Sequence, residues 1–480
     1  MTIREYIRNS WEKSLRKKGH RADGIPLPYP YNSPCAEGIF DEFYYWDTCF
    51  INKGLIADKK IEDALHNALD MAFLSQKYGY MPNAAVTGML NRTQPPVFGI
   101  MVCDLLPYID GENAAILLSA MEREYDYRMR ERVLPCGLNH YGNSADAQTK
   151  IFMADEAESR LKRKFENADR ETIGNNILAE CESGWDFSPR FDLRCSEFAA
   201  VDLNSLLYFY ETTLARFGEK AKRTGYNAAA ERRKEKMYRF CFDGQKLTDA
   251  VPGRQFGCVT SVADMLPFWA GISNDKDVLL RILNKLEYTH GIAACEKTDE
   301  DFVGQWGYPN MWAPLVWFAF YALKAVGAPE DAERIGKKYL LTVEDCFANT
   351  GKRKGFPVKR ESMKKKNVKS FSTRWGFILA SVGSAVGMAN VWGFPNKMGS
   401  NGGGAFLLIY ILFVLIFSYV GLPAEFAMGR RAATGTLGAY ENAWATRGKG
   451  AGKTGAALGW LPLAGSLCIA IGYAVIVTYV

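Results

Sequence analysis

At 480 residues, 48% of them hydrophobic and 23% charged, the chain is long enough for more than one packed core and has the average composition of a globular protein. Its net charge of +6 is local: nine Lys or Arg stand against Glu361 between Lys352 and Lys369. That pattern excludes a nucleic-acid binder built on a spread basic face. Eleven cysteines, from Cys35 to Cys468, form no C-x-x-C pair and read as reduced thiols rather than a disulfide framework.

The N-terminus, MTIREYIRNSWEKSLRKKGH, lacks the apolar core of a signal peptide, which predicts a first module kept in the cytoplasm. From about residue 55 to 346 the periodicity is helical. Ile61, Ala64, Leu65, Ala68, Leu69 and Ala72 recur at i, i+3, i+4 spacing, as do Leu203, Leu206, Leu207, Tyr210, Leu214 and Phe217. Alternating strand patterns are hard to find, so the first module is expected to be all-α. Between the helices lie loops rich in Gly, Pro, Trp and Asn, the usual seats of binding groups on a rigid scaffold.

The loop Glu182-Ser-Gly-Trp-Asp186 sets a carboxyl group beside an indole. Cleaving a glycosidic bond needs one protonated carboxyl to donate to the leaving oxygen, and an apolar neighbour such as Trp185 favours the protonated form. The same Asp in a Gly/Ser loop also reads as a turn former. Three further loops, Tyr44-Tyr45-Trp46-Asp47, Asn91-Arg92-Thr93-Gln94-Pro95-Pro96 and Gln305-Trp306-Gly307-Tyr308-Pro309-Asn310-Met311-Trp312, supply aromatic faces beside planar donors and acceptors. Sugars are held by that combination: rings stack on C–H faces while polar forks take the hydroxyls.

With DEFYYWDTCF, LNRTQPPVF, ESGWDFSPRF, VDLN and QWGYPNMWAP in this order, residues 1–352 resemble the trehalase family of inverting glycoside hydrolases. The resemblance implies an (α/α)6 toroid, a general acid at Asp186 and sugar contacts at Trp46, Asp47, Arg92, Gln94, Trp306 and Trp312, with no cofactor. This chain departs from the family at Glu37-Gly38-Ile39-Phe40, where an Arg is missing, and at Gly307 and Met311. Trehalose and another small glycoside are therefore both open as substrates. The family's general base comes after a Phe-x-x-Thr-Gly block; here Phe347-Ala-Asn-Thr350-Gly351 runs into KRKGFPVKRES. The expectation is an incomplete toroid that has lost its base, because Glu361 lies in a polybasic run.

After the polybasic seam, 353–374, the chain turns apolar. Trp375–Pro395, Ala405–Leu422 and Thr454–Val480 carry no charge, and each is long enough for a hydrocarbon core of ~30 Å, which predicts three membrane spans over 375–480. The flanking cations place the seam, and with it the first module, on the cytoplasmic side, where anionic lipid would meet it. The segments Thr373–Pro395, Asn401-Gly-Gly-Gly-Ala-Phe406 and Gly421–Arg430 resemble the opening of the neurotransmitter:sodium symporter family. That resemblance implies Na+ contacts at Gly383, Ala385, Val386 and Asn390. It also implies a substrate-lining turn at Ser384, Gly387, Met388 and Ala389, and a substrate contact at Tyr473. It further implies a symporter fold cut short in its third span, from which transport is not expected. A glycosidase fused to a truncated transporter, a membrane-tethered sugar binder without catalysis, and a non-functional fusion of two neighbouring genes all fit these motifs.

Overall fold

Side chains that can satisfy orphan amides mark where the helices begin. In the computed structural model, Thr2 and Glu5 cap each other's amides at the start of α1 (Ile3–Ser14). Asp110, Asp146, Asp169 and Asp275 each accept a hydrogen bond from an amide in the first turn of α5 (Gly111–Glu131), α6 (Ala147–Leu161), α7 (Arg170–Ser183) and α11 (Lys276–Leu286). The structure describes residues 2–17, 23–36, 40–165, 169–298 and 304–350, with short pieces at 398, 403–414, 440–441, 443–444 and 451–461. The chain divides into two units, Met1–Arg360 and Glu361–Val480.

In the first unit the predicted helices form. The periodic residues around Ile61 fall on α3 (Ile61–Tyr78), which buries Ala64, Ala68 and Ala72, and those around Leu203 fall on α8 (Val201–Phe217). Helix α8 is buried nearly all round, from Val201 to Leu214, whereas α9 (Arg223–Phe240) buries only Tyr226, Ala230, Arg233 and Met237. That contrast marks an inner and an outer layer. The inner helices α2 (Tyr45–Ala57), α4 (Phe98–Leu105), α8, α10 (Leu266–Trp269) and α12 (Ala313–Ala325) pack each against the next. Helices α3, α5, α9 and α13 (Pro329–Thr350) back them. The α6/α7 pair stands apart over its own small core of Ala157, Phe165, Ile177, Cys181 and Phe187.

The described part is not purely helical. Three antiparallel ladders of two residues per strand, Leu15–Arg16 with Tyr31–Asn32, Ala250–Val251 with Gln255–Phe256 and Glu287–Tyr288 with Gly291–Ile292, tie loops together. They are too short for an alternating pattern to register in the sequence. Buried hydroxyls lock the inner layer: Glu124 on α5 accepts from Tyr45 Oη at 2.7 Å and Tyr210 Oη at 2.6 Å, joining α2, α5 and α8.

In the second unit a helix covers 404–414 and another covers Ala451–Leu458. The first exposes an apolar row that includes Leu408, Leu412 and Phe413. Among the described residues no helix is long and apolar enough to cross a membrane. The three expected spans fall largely outside those residues, and the symporter positions Gly383, Ser384, Ala385, Val386, Gly387, Met388, Ala389, Asn390 and Tyr473 fall wholly outside them.

Candidate active site

Helix α7 ends at Gly184, which takes a left-handed φ of 74° that a β-carbon would strain. After the reversal come Trp185, which is buried, and Asp186, which is partly exposed. Arg190 fixes the far end of this loop: its buried guanidinium reaches Asp202 at 3.1 and 3.0 Å and Asp249 at 3.0 and 2.9 Å. Its flat face lies 4.4 Å from the Trp185 ring. Burial raises the Asp186 carboxyl above its usual range, against the guanidiniums of Arg160 and Arg92, which pull it down. A shift in that direction is what a general acid requires.

The motif residues converge on it. Trp46 and Asp47 lie in the first turn of α2 rather than in the expected loop. The Trp46 amide donates to Gln94 Oε1 at 2.8 Å, which docks the Arg92–Gln94 segment on that turn. Burial pushes the Asp47 carboxyl up to about 6, and the charge of Asp186 adds to the shift. Trp306 stacks on Trp312 with centroids 4.5 Å apart and meets Trp46 edge-on at 6.3 Å and Trp185 at 5.5 Å. Gln305 Nε2 donates to the Asp186 carbonyl at 2.7 Å, and the Trp306 amide donates to the Phe187 carbonyl at 3.0 Å. Four indoles and two carboxyl groups from separate elements therefore share one region. A cavity of about 470 Å³ opens beside Trp46 and Asp47, walled also by Trp11, Phe50 and Pro314.

Beneath lies a layer the motifs did not reveal. Glu182, wholly buried, meets Arg132 Nε at 2.9 Å, Arg128 Nη1 at 3.3 Å and the Thr93 amide at 3.1 Å. Burial raises its carboxyl, but the two guanidiniums outweigh that and hold it below the usual range. Glu180, also buried, accepts from Ser188, and burial pushes its carboxyl up to about 8. A charged residue predicted onto a buried stretch of an otherwise covered helix was the available signal for both. Arg160 near the end of α6 was missed as well; its Nη2 stands 3.4 Å from Asp186 Oδ2.

The Trehalase family model matches residues 2–358. The chain belongs to the trehalase family. A second match, to the Sodium:neurotransmitter symporter family, covers residues 368–480. The trehalase part is 29% identical to a protein named periplasmic trehalase from Xanthomonas axonopodis pv. citri, over 73% of this chain and 66% of that protein. It is also 29% identical to one of the same name from Pseudomonas aeruginosa, over 68% and 65%. The chain thus spans just under two thirds of these curated relatives. Neutral trehalase Nth1 from Saccharomyces cerevisiae superposes with a TM-score of 0.58 at 21% identity, covering 72% of this chain and 74% of that one, which shows a trehalase-like fold.

Proposed function

We propose that the trehalase module is an inverting glycoside hydrolase site for trehalose or another small glycoside, with Asp186 as general acid. The carrying observation is the raised carboxyl of Asp186 set among Trp46, Trp185, Trp306 and Trp312. Asp186 would protonate the glycosidic oxygen as its bond to the anomeric carbon breaks, and water would add at that carbon and give its proton to solvent, from which Asp186 is reprotonated. Trp46, Trp306 and Trp312 would stack on the sugar, and Asp47, Arg92 and Gln94 would take its hydroxyls. Two described carboxyl groups feel the charge of Asp186, Asp47 and Glu180. Glu180 is buried, and Asp47 is committed to the sugar in this reading. With no base of the family's kind after Thr350, turnover is expected to be weak or absent while binding persists.

The names of the relatives, the Trehalase match and the trehalase-like fold support a sugar as ligand. The symporter match and the apolar helix at 404–414 support a membrane attachment, with Na+ contacts at Gly383, Ala385, Val386 and Asn390. The seam's cations favour the cytoplasmic side for the sugar site, whereas the relatives are named periplasmic. The second reading, a tethered sugar binder without catalysis, shares the same site.

Calorimetric titration of the full chain with trehalose, alongside assay of released glucose, tests this. Binding with little or no turnover is expected. Robust turnover abolished by Asp186→Asn would overturn the loss of the base while upholding the acid. Absence of both binding and turnover would overturn the sugar site.

A further inference from the structure

Residues 160–164 read Arg-Leu-Lys-Arg-Lys, four cations in five residues, where α6 stops and Lys162 turns left-handed at φ 53°. A helix C-terminus favours cations through its dipole, which accounts for Lys162, Arg163 and Lys164. It serves Arg160 in the last turn as well, but that guanidinium also sits over the Phe187 ring at 4.6 Å and points Nη2 at Asp186 Oδ2. Its separation from that oxygen, 3.4 Å, is long for a charge-assisted hydrogen bond, and the Arg160 side chain is 45% exposed.

The neighbouring cations are little engaged. Arg163 stands 3.9 Å from Asp192 with side chains 62% and 80% exposed, a contact worth little in water. Lys162 and Lys164 are exposed and make no hydrogen bond or ion pair among the described residues. Arg92, the other guanidinium acting on Asp186, spends Nη1 on Asn91 at 2.7 Å, and its Nε is buried without a partner. The titratable groups that interact with Asp186 include Arg160 from α6, Arg92 from its loop, Asp47 from α2, and Glu180 and Cys181 from α7. Two guanidiniums thus face Asp186, and the residues that follow Arg160 in the chain add the exposed cations Lys162, Arg163 and Lys164.

We propose that the ligand of this site is a glycoside bearing a negative charge, a phosphate ester or a carboxylate, which Arg160 takes up by turning away from Asp186. This deepens the sugar-site reading and rests on it. A guanidinium forks onto two oxygens of either group with better geometry than it has on Asp186. The lysines beyond it steer the anion to the mouth. Once Arg160 leaves, one of the two guanidiniums that pull the Asp186 carboxyl down is gone, Arg92 remains, and burial raises the carboxyl further. The charged ligand thus helps to protonate its own acid.

Calorimetry on the full chain in detergent at pH 7 compares trehalose, trehalose 6-phosphate and an α-linked glucosyl-glucuronate, with inorganic phosphate as a further titrant. The expected result is at least tenfold tighter binding of one or both anionic sugars than of trehalose in 50 mM salt, with the advantage shrinking in 500 mM salt. The phosphate and carboxylate arms tell which anion is preferred. In Arg160→Ala the ratio of anionic to neutral affinity falls to near one, and in Arg160→Lys it is partly restored. Proton uptake on binding, read from the buffer dependence of the heat, accompanies the anionic sugars and is lost with Arg160. Equal binding of neutral and anionic sugars, or an unchanged ratio in Arg160→Ala, overturns the proposal and leaves the sugar site standing. Binding of inorganic phosphate but of no sugar overturns both. The wild-type comparison decides the matter even if a variant fails to fold.

Discussion

Glu180 and Ser188 are joined twice: Oε1 of the buried acid accepts from the Ser188 amide at 2.6 Å and from its hydroxyl at 3.1 Å. Asp186 lies between them in the chain, so the pair closes the loop that carries it. The other oxygen, Oε2, is buried without a partner, and burial pushes the carboxyl up to about 8. A neutral amide should imitate this protonated acid. Glu180→Gln is expected to keep both Ser188 bonds and change sugar affinity by less than threefold. Glu180→Ala, which strands a buried amide at a cost of about 1–3 kcal/mol, should lower affinity roughly tenfold. Calorimetric titration with a bound sugar checks both; equal losses would show that Glu180 does not hold the loop.

Glu182 makes the opposite choice, staying charged between Arg132 and Arg128. Arg128 also donates to the Gln94 carbonyl, and the Glu182 carboxylate takes the Thr93 amide, so the network anchors the segment that carries Arg92 and Gln94. Removing one member of a buried ion pair costs about 3–5 kcal/mol, because the remaining charge is left uncompensated. Glu182→Gln should therefore lower the melting temperature of the full chain far more than Glu180→Gln does. Thermal melting monitored by circular dichroism makes that comparison directly.

Asp70 on α3 gives a pH signature. It is fully buried, accepts from the Tyr29 amide at 3.0 Å, leaves Oδ2 unpartnered, and burial pushes its carboxyl up to about 8. Between its ordinary value near 4 and about 8, the folded state holds a proton that the unfolded chain has released. Stability from this group is greatest below that window and falls as pH rises through it, by about 1.4 kcal/mol per unit. Asp70→Asn has no proton to lose. Its melting temperature should exceed that of the unaltered chain at pH 8 by more than at pH 5, and a constant difference would contradict the assignment.

How much the sequence disclosed depends on how local each signal is. Asp186 was legible because a Gly-terminated helix, an indole and a carboxyl fall within five consecutive residues. The stacked pair Trp306 and Trp312 was legible because one loop carries both. Arg160 was not: it sits 26 positions before Asp186, near the end of α6, and only the packing of α6 beside α7 brings it to Asp186. The Tyr44–Asp47 block reads as a loop because Tyr44 gives no side-chain cap, yet the helix starts there, held by the Gln94 contact to the Trp46 amide. Tertiary contact overrode a local signal.

Trp306 separates recognition from stability. Its ring stacks on Trp312 at an interplanar angle of 18°, and its Nε1 is buried with no hydrogen-bond partner. Replacing a large buried ring with Ala leaves a cavity costing about 3–5 kcal/mol. Trp306→Phe leaves a smaller one and also removes the unsatisfied N–H, whose burial costs about 1–3 kcal/mol. The two effects oppose each other, so the melting temperature of Trp306→Phe should stay within a few degrees of the unaltered chain. The sugar loses an indole face and keeps a phenyl one, a change of about 1 kcal/mol, or roughly fivefold in affinity. The quench of tryptophan fluorescence on titrating a sugar should shrink in the same variant. A variant that melts normally but binds sugar unchanged would remove Trp306 from the platform, and Trp46 and Trp312 would then have to carry the stacking without it.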